Sequence, residues 1–250
     1  MTVEITTNHP IAKDSNDHLL PHGTRLDNSR NQRFAMMCRE IIGKPQLRFL
    51  DLGCAGGGFI KDCIDGGDIG IGIDGSDYSL KAKRGAWATN PDSFLTADIS
   101  KPFQLRENGK PIAFDVITIW EVLEHLTEDG VKMCLENVVR HMDGSGIFTI
   151  SVSNSSDAPE GKELHQTMKP AAWWEGLFFQ HGLKRSPELE GYFQGQYVRG
   201  KKQNAPHSEN MVLELNKHPV PEKDMAWRLF DAWHMSKAQR MLRRWVIGYY

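Results

Sequence analysis

This 250-residue chain predicts an α/β fold: a doubly wound, mostly parallel sheet of seven strands with an N-terminal arm and helix and a C-terminal helical tail. Three observations point there. Between residues 47 and 152, short apolar, partly β-branched runs alternate with helix-length segments, the pattern of parallel strands joined by helical crossovers. The first run, "RFLDL", carries Asp51 near its end and opens onto Gly53-Cys54-Ala55-Gly56-Gly57-Gly58, a glycine turn leading from strand to helix. Two further strand-like pieces follow residue 182.

Residues 1–28 are polar and aperiodic, and read as an arm or lid. A helix is predicted from Ser29 to Ile42, stopped by Gly43 and Pro45. Strands are expected at 47–52, 69–74, 93–98, 114–120 and 146–152, with helices at 58–65, 77–89 and 128–141. The segment 100–112 mixes Pro, Gly and charge and reads as an irregular crossover. After a loop at 154–163 come a helix from Pro170 to His181 and strand-like pieces at 183–190 and 210–215. The connection 191–210 is long for a compact domain, which tends to mean function or disorder. Beyond Glu222 the spacing of Trp227, Phe230, Trp233, Met241, Leu242 and Trp245 is helical, and so many aromatics imply burial against the domain or a second subunit. The expected organisation is an arm and helix over 1–46, a ligand-binding domain over 47–215 and a helical extension over 216–250.

Composition narrows the class. A formal net charge of −2 advertises no broad nucleic-acid footprint. Four cysteines without a CxxC pair or zinc spacing read as reduced thiols of a cytoplasmic protein. The N-terminus lacks the basic-then-apolar order of a signal peptide, and no apolar run suits a membrane.

The turn chemistry narrows the ligand. In a doubly wound sheet ligands lie at the carboxyl ends of the strands, and a pyrophosphate would sit on the glycine turn. Asp51, two residues before the first glycine, would repel a pyrophosphate but would receive an ammonium group. The next strand ends on Asp74, where an acid accepts both hydrogen bonds of a ribose diol. The third ends in "TADIS", placing Asp98 to accept from an adenine amino group with Ile99 against the ring.

With "FDVITIWEVLEHL" following, the chain resembles the class I S-adenosylmethionine-dependent methyltransferases, over residues 45–152 closely and 165–215 loosely. The resemblance implies that Asp51, Gly53, Cys54, Ala55 and Gly57 hold the methionine end. It implies that Asp74, Gly75 and Ser76 take the ribose, Asp98 and Ile99 the adenine, and that Trp120 packs near the cofactor. Ala55 stands where the family usually has glycine.

For the acceptor end, a helix opening after Trp120 would set Glu124 and His125 one turn from Glu121. His165, after the fifth strand, would reach the same rim. Glu-x-x-Glu-His with a later His resembles the metal site of small-RNA 3′-terminal 2′-O-methyltransferases, and its first part resembles ubiquinone-pathway O-methyltransferases. That implies Mg²⁺, Mn²⁺ or Zn²⁺ on Glu121, Glu124, His125 and His165. The alternative is a metal-free site in which His125 or His165 is a general base, with Glu121 beside it. Tyr192, Phe193, Tyr197, Arg199, Lys201 and Lys202, with Gln194, Gln196, Gln203 and Asn204, would suit a hydroxyl-rich acceptor, or form a solvated hairpin. The expected activity is methylation of a hydroxyl on a small molecule or glycan. The rivals are an RNA 2′-O-methyltransferase and a non-catalytic binding module of a larger protein.

Overall fold

The computed structural model describes residues 2–15, 26–199, 208–223 and 225–229. In chain order the elements are β1 (Val3–Thr6), α1 (Gln32–Ile42), β2 (Arg48–Leu52), α2 (Gly58–Asp65), β3 (Ile69–Asp74), α3 (Tyr78–Lys81), α4 (Ala86–Thr89), β4 (Phe94–Thr96), β5 (Gln104–Glu107), β6 (Lys110–Pro111) and β7 (Phe114–Trp120). Then come α5 (Glu128–His141), β8 (Met142–Ser153), α6 (Ala171–Gln180), β9 (Lys184–Arg185), α7 (Pro187–Phe193) and β10 (Ser208–Glu214). The main sheet has seven strands in the order β4-β3-β2-β7-β8-β10-β9. The pairs from β4 through β8 are parallel, and β10 runs antiparallel to both of its neighbours. Strand order reverses between β2 and β7, so Asp51 and Trp120 flank the crevice where a ligand belongs.

Buried apolar residues form two clusters. One contains Leu50, Ile73, Ile117, Ile150 and Phe178 with α5 and α6. The other contains Phe34, Phe49, Phe59, Trp120 and Phe193 with α1, α2 and α7. Along β2 and β7 the side chains alternate between these clusters, as the two-residue period of a strand requires. The α1 N-terminus is capped by Asn31, whose side chain accepts from the Phe34 N–H, and Gly43 in the left-handed region ends the helix.

Several sequence expectations are corrected. The aperiodic N-terminus contains β1, paired antiparallel with β5 in a separate three-stranded sheet with β6; the supposed crossover 100–112 thus holds a hairpin. The helix expected over 77–89 is two single turns, because Lys83 and Gly85 both take positive φ. The strand expected over 183–190 is only two residues long. Pro187 then opens α7, which buries Leu189, Tyr192 and Phe193 at helical spacing. Of the tail, residues 225–229 are helical, and the Arg33 guanidinium lies 3.4 Å over the half-buried Trp227 ring. Phe230, Trp233, Met241, Leu242 and Trp245 lie outside the described residues, as do Lys201, Lys202, Gln203 and Asn204. Among the described residues no helix is long and apolar enough to cross a membrane.

Candidate active site

The glycine turn sits under the sheet's switch point, and its backbone is already committed. Gly53 and Cys54 both donate to the Ile73 carbonyl, at 2.8 and 3.1 Å. The Ala55 N–H donates to Asp74 Oδ2 at 2.8 Å. Gly56 donates to the Asp27 carbonyl at 3.1 Å and Gly57 to Cys54 at 2.8 Å. The N–H groups of Gly53 through Gly57 are therefore all engaged within the protein, which leaves carbonyls as this backbone's means of holding a methionine end. The Gly53 carbonyl has no partner among the described residues. These five N–H groups are closed to an anion, but a carbonyl beside a carboxylate suits an ammonium. Gly57 takes φ +78, and a Cβ there would lie 2.4 Å from the Phe94 ring. At Gly56 a Cβ would lie 2.6 Å from the Asp27 carbonyl, so the missing side chain admits the N-terminal arm. Ala55 accepts φ 47 where the family has glycine.

Asp51 is buried, and Thr118 Oγ1 on the neighbouring strand donates to its Oδ1 at 2.6 Å. Burial pushes its pKa up to about 7, the charges of Asp27 and Asp74 adding to the effect and the Thr118 bond opposing it. A carboxyl held in this state gains from a cation placed beside it. Asp74 accepts from the Ala55 and Ser76 N–H groups, each at 2.8 Å, which fixes both oxygens at the end of β3. The arm borders this end of the crevice: the Ala12 N–H donates to the Gly75 carbonyl at 2.9 Å, and the Asp98 N–H to the His9 carbonyl at 2.9 Å.

Asp98 plays a second part that the motif did not show. Its Oδ1 accepts from the Ser100 N–H and hydroxyl at 2.9 and 2.6 Å, closing a local turn. Only Oδ2 is left for an adenine amino group. Ile99, next in the chain, is buried in the first core cluster. Trp120 is buried edge-on to Phe34 and Phe59, and its Nε1 has no partner.

At the other end of the crevice, Glu121 is not on a helix. It takes φ 57, and a single 3₁₀ turn, Leu123–His125, replaces the expected helix opening. Of the four residues expected to converge, Glu124, His125 and His165 come together by another route, and Glu121 is not part of their group. Residues 163–167 dock on this turn, with Gln166 and Thr167 N–H donating to the Glu124 carbonyl at 2.7 and 3.0 Å. Glu124, His125 and His165 each offer a ligand atom, and these lie within 4.8 Å of one another. The imidazole rings of His125 and His165 stand 4.7 Å apart, edge to face. His165 Nδ1 is held by the Ser155 carbonyl at 2.5 Å, the outer-shell bond that orients a ligating imidazole. Glu124 Oε1 accepts from the Ser153 N–H at 2.9 Å, and Glu121 Oε2 from Ser208 Oγ at 2.5 Å.

What remains is unpaired: Glu124 Oε2, His125 Nδ1 and Glu121 Oε1 are buried with no partner. Burial and the Glu121 charge push Glu124 up to about 8. Burial and the neighbouring His165 push His125 down to about 4, so that ring is neutral near pH 7. Two crowded carboxyls and a neutral imidazole, each with an orphaned atom, fit a divalent cation. Thr118, Ser153, Ser155 and Ser208 were missed as supports because each lies on a different element or loop from the group it holds, between 10 and 87 residues away in the chain.

A family model described as a methyltransferase domain matches residues 24–195. The chain belongs to this methyltransferase family. No curated protein matches it. Among solved structures it is similar to an S-adenosylmethionine-dependent methyltransferase from Clostridium acetobutylicum ATCC 824, at 14% identity and TM-score 0.54, covering 80% of this chain and 96% of that one. It is also similar to the CcbJ methyltransferase from Streptomyces caelestis, at 13% identity and TM-score 0.51, covering 73% and 88%. At such identities these likenesses establish the fold. Family and fold make this methyltransferase one that uses S-adenosylmethionine.

Proposed function

We propose that this methyltransferase acts on a hydroxyl of a small or sugar-like molecule, assisted by a divalent cation. Glu124, His125 and His165 would hold the ion with Glu121 beside them. The observation that carries the reading is the set of buried, unpartnered atoms Glu124 Oε2 and His125 Nδ1 in a cluster that His165 completes. Two buried groups left without partners are costly unless something fills the space between them. A bound cation lowers the pKa of a coordinated hydroxyl, so an alcohol can attack near neutral pH. In the transfer the methyl carbon leaves the donor sulfur for the acceptor oxygen, and the hydroxyl proton must pass to a base. His125, pushed down to about 4, is a weak base near pH 7, which favours ligation over proton abstraction by that ring. Mn²⁺, Mg²⁺ and Zn²⁺ all take carboxylate and imidazole ligands, and a vicinal diol suits the site because one hydroxyl can ligate while the other attacks.

The test is transfer of a labelled methyl group to a panel of sugars with and without vicinal diols. The same assay is run after exhaustive chelation and again with each of the three ions restored. Activity confined to diols and lost in chelator is expected. Full activity in chelator refutes the cation, and transfer to amines alone refutes the hydroxyl acceptor.

A further inference from the structure

Asp51 and the Gly53 carbonyl answer the ammonium of a methionine end, but that end also carries a carboxylate. The N–H groups of Gly53 through Gly57 offer it no counterpart, since all five donate within the protein. Two arginines stand close by. Arg84 gives Nη2 to the Asp27 carbonyl and Nη1 to Ser79 Oγ at 3.4 Å, so both of its terminal nitrogens are engaged. Arg199 differs. Its Nη1 is bound to Asp27 Oδ2, while Nε is buried without a partner and Nη2 has none among the described residues.

The surroundings place this open edge. Asp27 is locked by the Ser29 N–H and hydroxyl on Oδ1, at 2.8 and 2.6 Å, and its backbone carbonyl sits on Gly56. Asp27 therefore ties Arg199 to the glycine turn. On the other side, Asn210 Nδ2 donates to the Arg199 carbonyl at 3.1 Å, on the same strand whose Ser208 reaches Glu121. The guanidinium is thus tied to the cofactor turn through Asp27, while its backbone is anchored toward the acceptor rim and its charge acts on Glu124 and His125 there. Only 18% of its side chain is exposed, too buried for water to satisfy Nε. The Nε–Nη2 edge of a guanidinium presents two parallel donors that match a carboxylate.

We propose that Arg199 binds the carboxylate of the methyl donor through its Nε–Nη2 edge, with Asp27 as the positioning residue that fixes the guanidinium from the other side. The inference rests on S-adenosylmethionine being the donor and does not require the cation, although the Arg199 charge also acts on Glu124 and His125. It joins the N-terminal arm, the glycine turn and the segment before β10 through one side chain.

The test compares S-adenosylmethionine with decarboxylated S-adenosylmethionine, which keeps the amine, sulfonium and adenosine. Calorimetry on the full chain should show the wild type binding the complete donor at least about tenfold tighter. Arg199→Met should bind both ligands within about twofold of each other, with the loss confined to the carboxylated one. Arg199→Lys, which keeps the charge but not the fork, should recover part of the preference and serves if the Met variant does not fold. A variant that keeps the full preference overturns the assignment, as does a wild type that shows none. Weakened acceptor binding with donor preference intact also overturns it, placing Arg199 on the acceptor. A wild type that binds neither donor overturns it too, and with it the methyl-donor reading.

Discussion

Asp51→Asn separates folding from cofactor binding in a single atom change. Asparagine keeps an oxygen for the Thr118 hydroxyl, so the strand-to-strand bond survives. What changes is the charge. A carboxyl raised from 3.8 to about 7 binds its proton more tightly in the folded chain than in the unfolded one. Its contribution to stability is complete below pH 3.8 and is lost as pH climbs through about 7. Between pH 5 and pH 8 that loss amounts to about 2–3 kcal/mol. Relative to wild type, the asparagine variant should therefore gain about 2–3 kcal/mol over the same interval. Comparing the two proteins cancels the fall expected from Glu124 and the fixed cost of burying an amide. Urea unfolding at pH 5 and pH 8 measures it. Cofactor binding should move the opposite way, because an ammonium needs the ionised form. Affinity of the wild type for S-adenosylhomocysteine should rise about tenfold from pH 6 to pH 8, while the variant binds weakly and without that dependence. Parallel pH profiles for the two proteins, in stability or in binding, would refute the reasoning.

Two substitutions probe the scaffold. Gly57→Ala meets both a φ of +78 and the Phe94 ring, and should cost at least about 2 kcal/mol in thermal unfolding; a neutral effect would mean that the turn can shift. Asp68→Ala should cost about 3–5 kcal/mol, because it strips a buried carboxylate from the Arg39 fork and from the Leu47 N–H. A urea midpoint that falls with unchanged slope is the expected readout, and a loss under about 1 kcal/mol would count against a buried pair.

The chain's local grammar carried much of this molecule. Each parallel strand is an apolar run, so β2, β3 and β7 could be found by eye, and the acids at their ends were visible because a strand's end is a property of a few neighbouring residues. The same locality made α7 findable: Leu189, Tyr192 and Phe193 stand at helical spacing after Pro187, yet the β-like texture of the stretch before it hid them. Glu124, His125 and His165 were legible as residue types, but the helix imagined to gather them does not form. Glu121 turns into the left-handed region and the 163–167 segment supplies the convergence instead.

What the sequence by itself determined, then, was the alternating α/β frame, the acids facing the crevice and the kind of ligand those acids suit. Only tertiary structure decided which groups are still free to bind. Thr118 reaches Asp51 across 67 residues, Ser208 reaches Glu121 across 87, and Arg199 reaches Asp27 across 172. Such partners leave no periodic trace, because chain distance is irrelevant once strands pack side by side. The spent N–H groups of the turn and the open edge of Arg199 follow from those long-range pairings, since a donor's availability depends on every group folded against it.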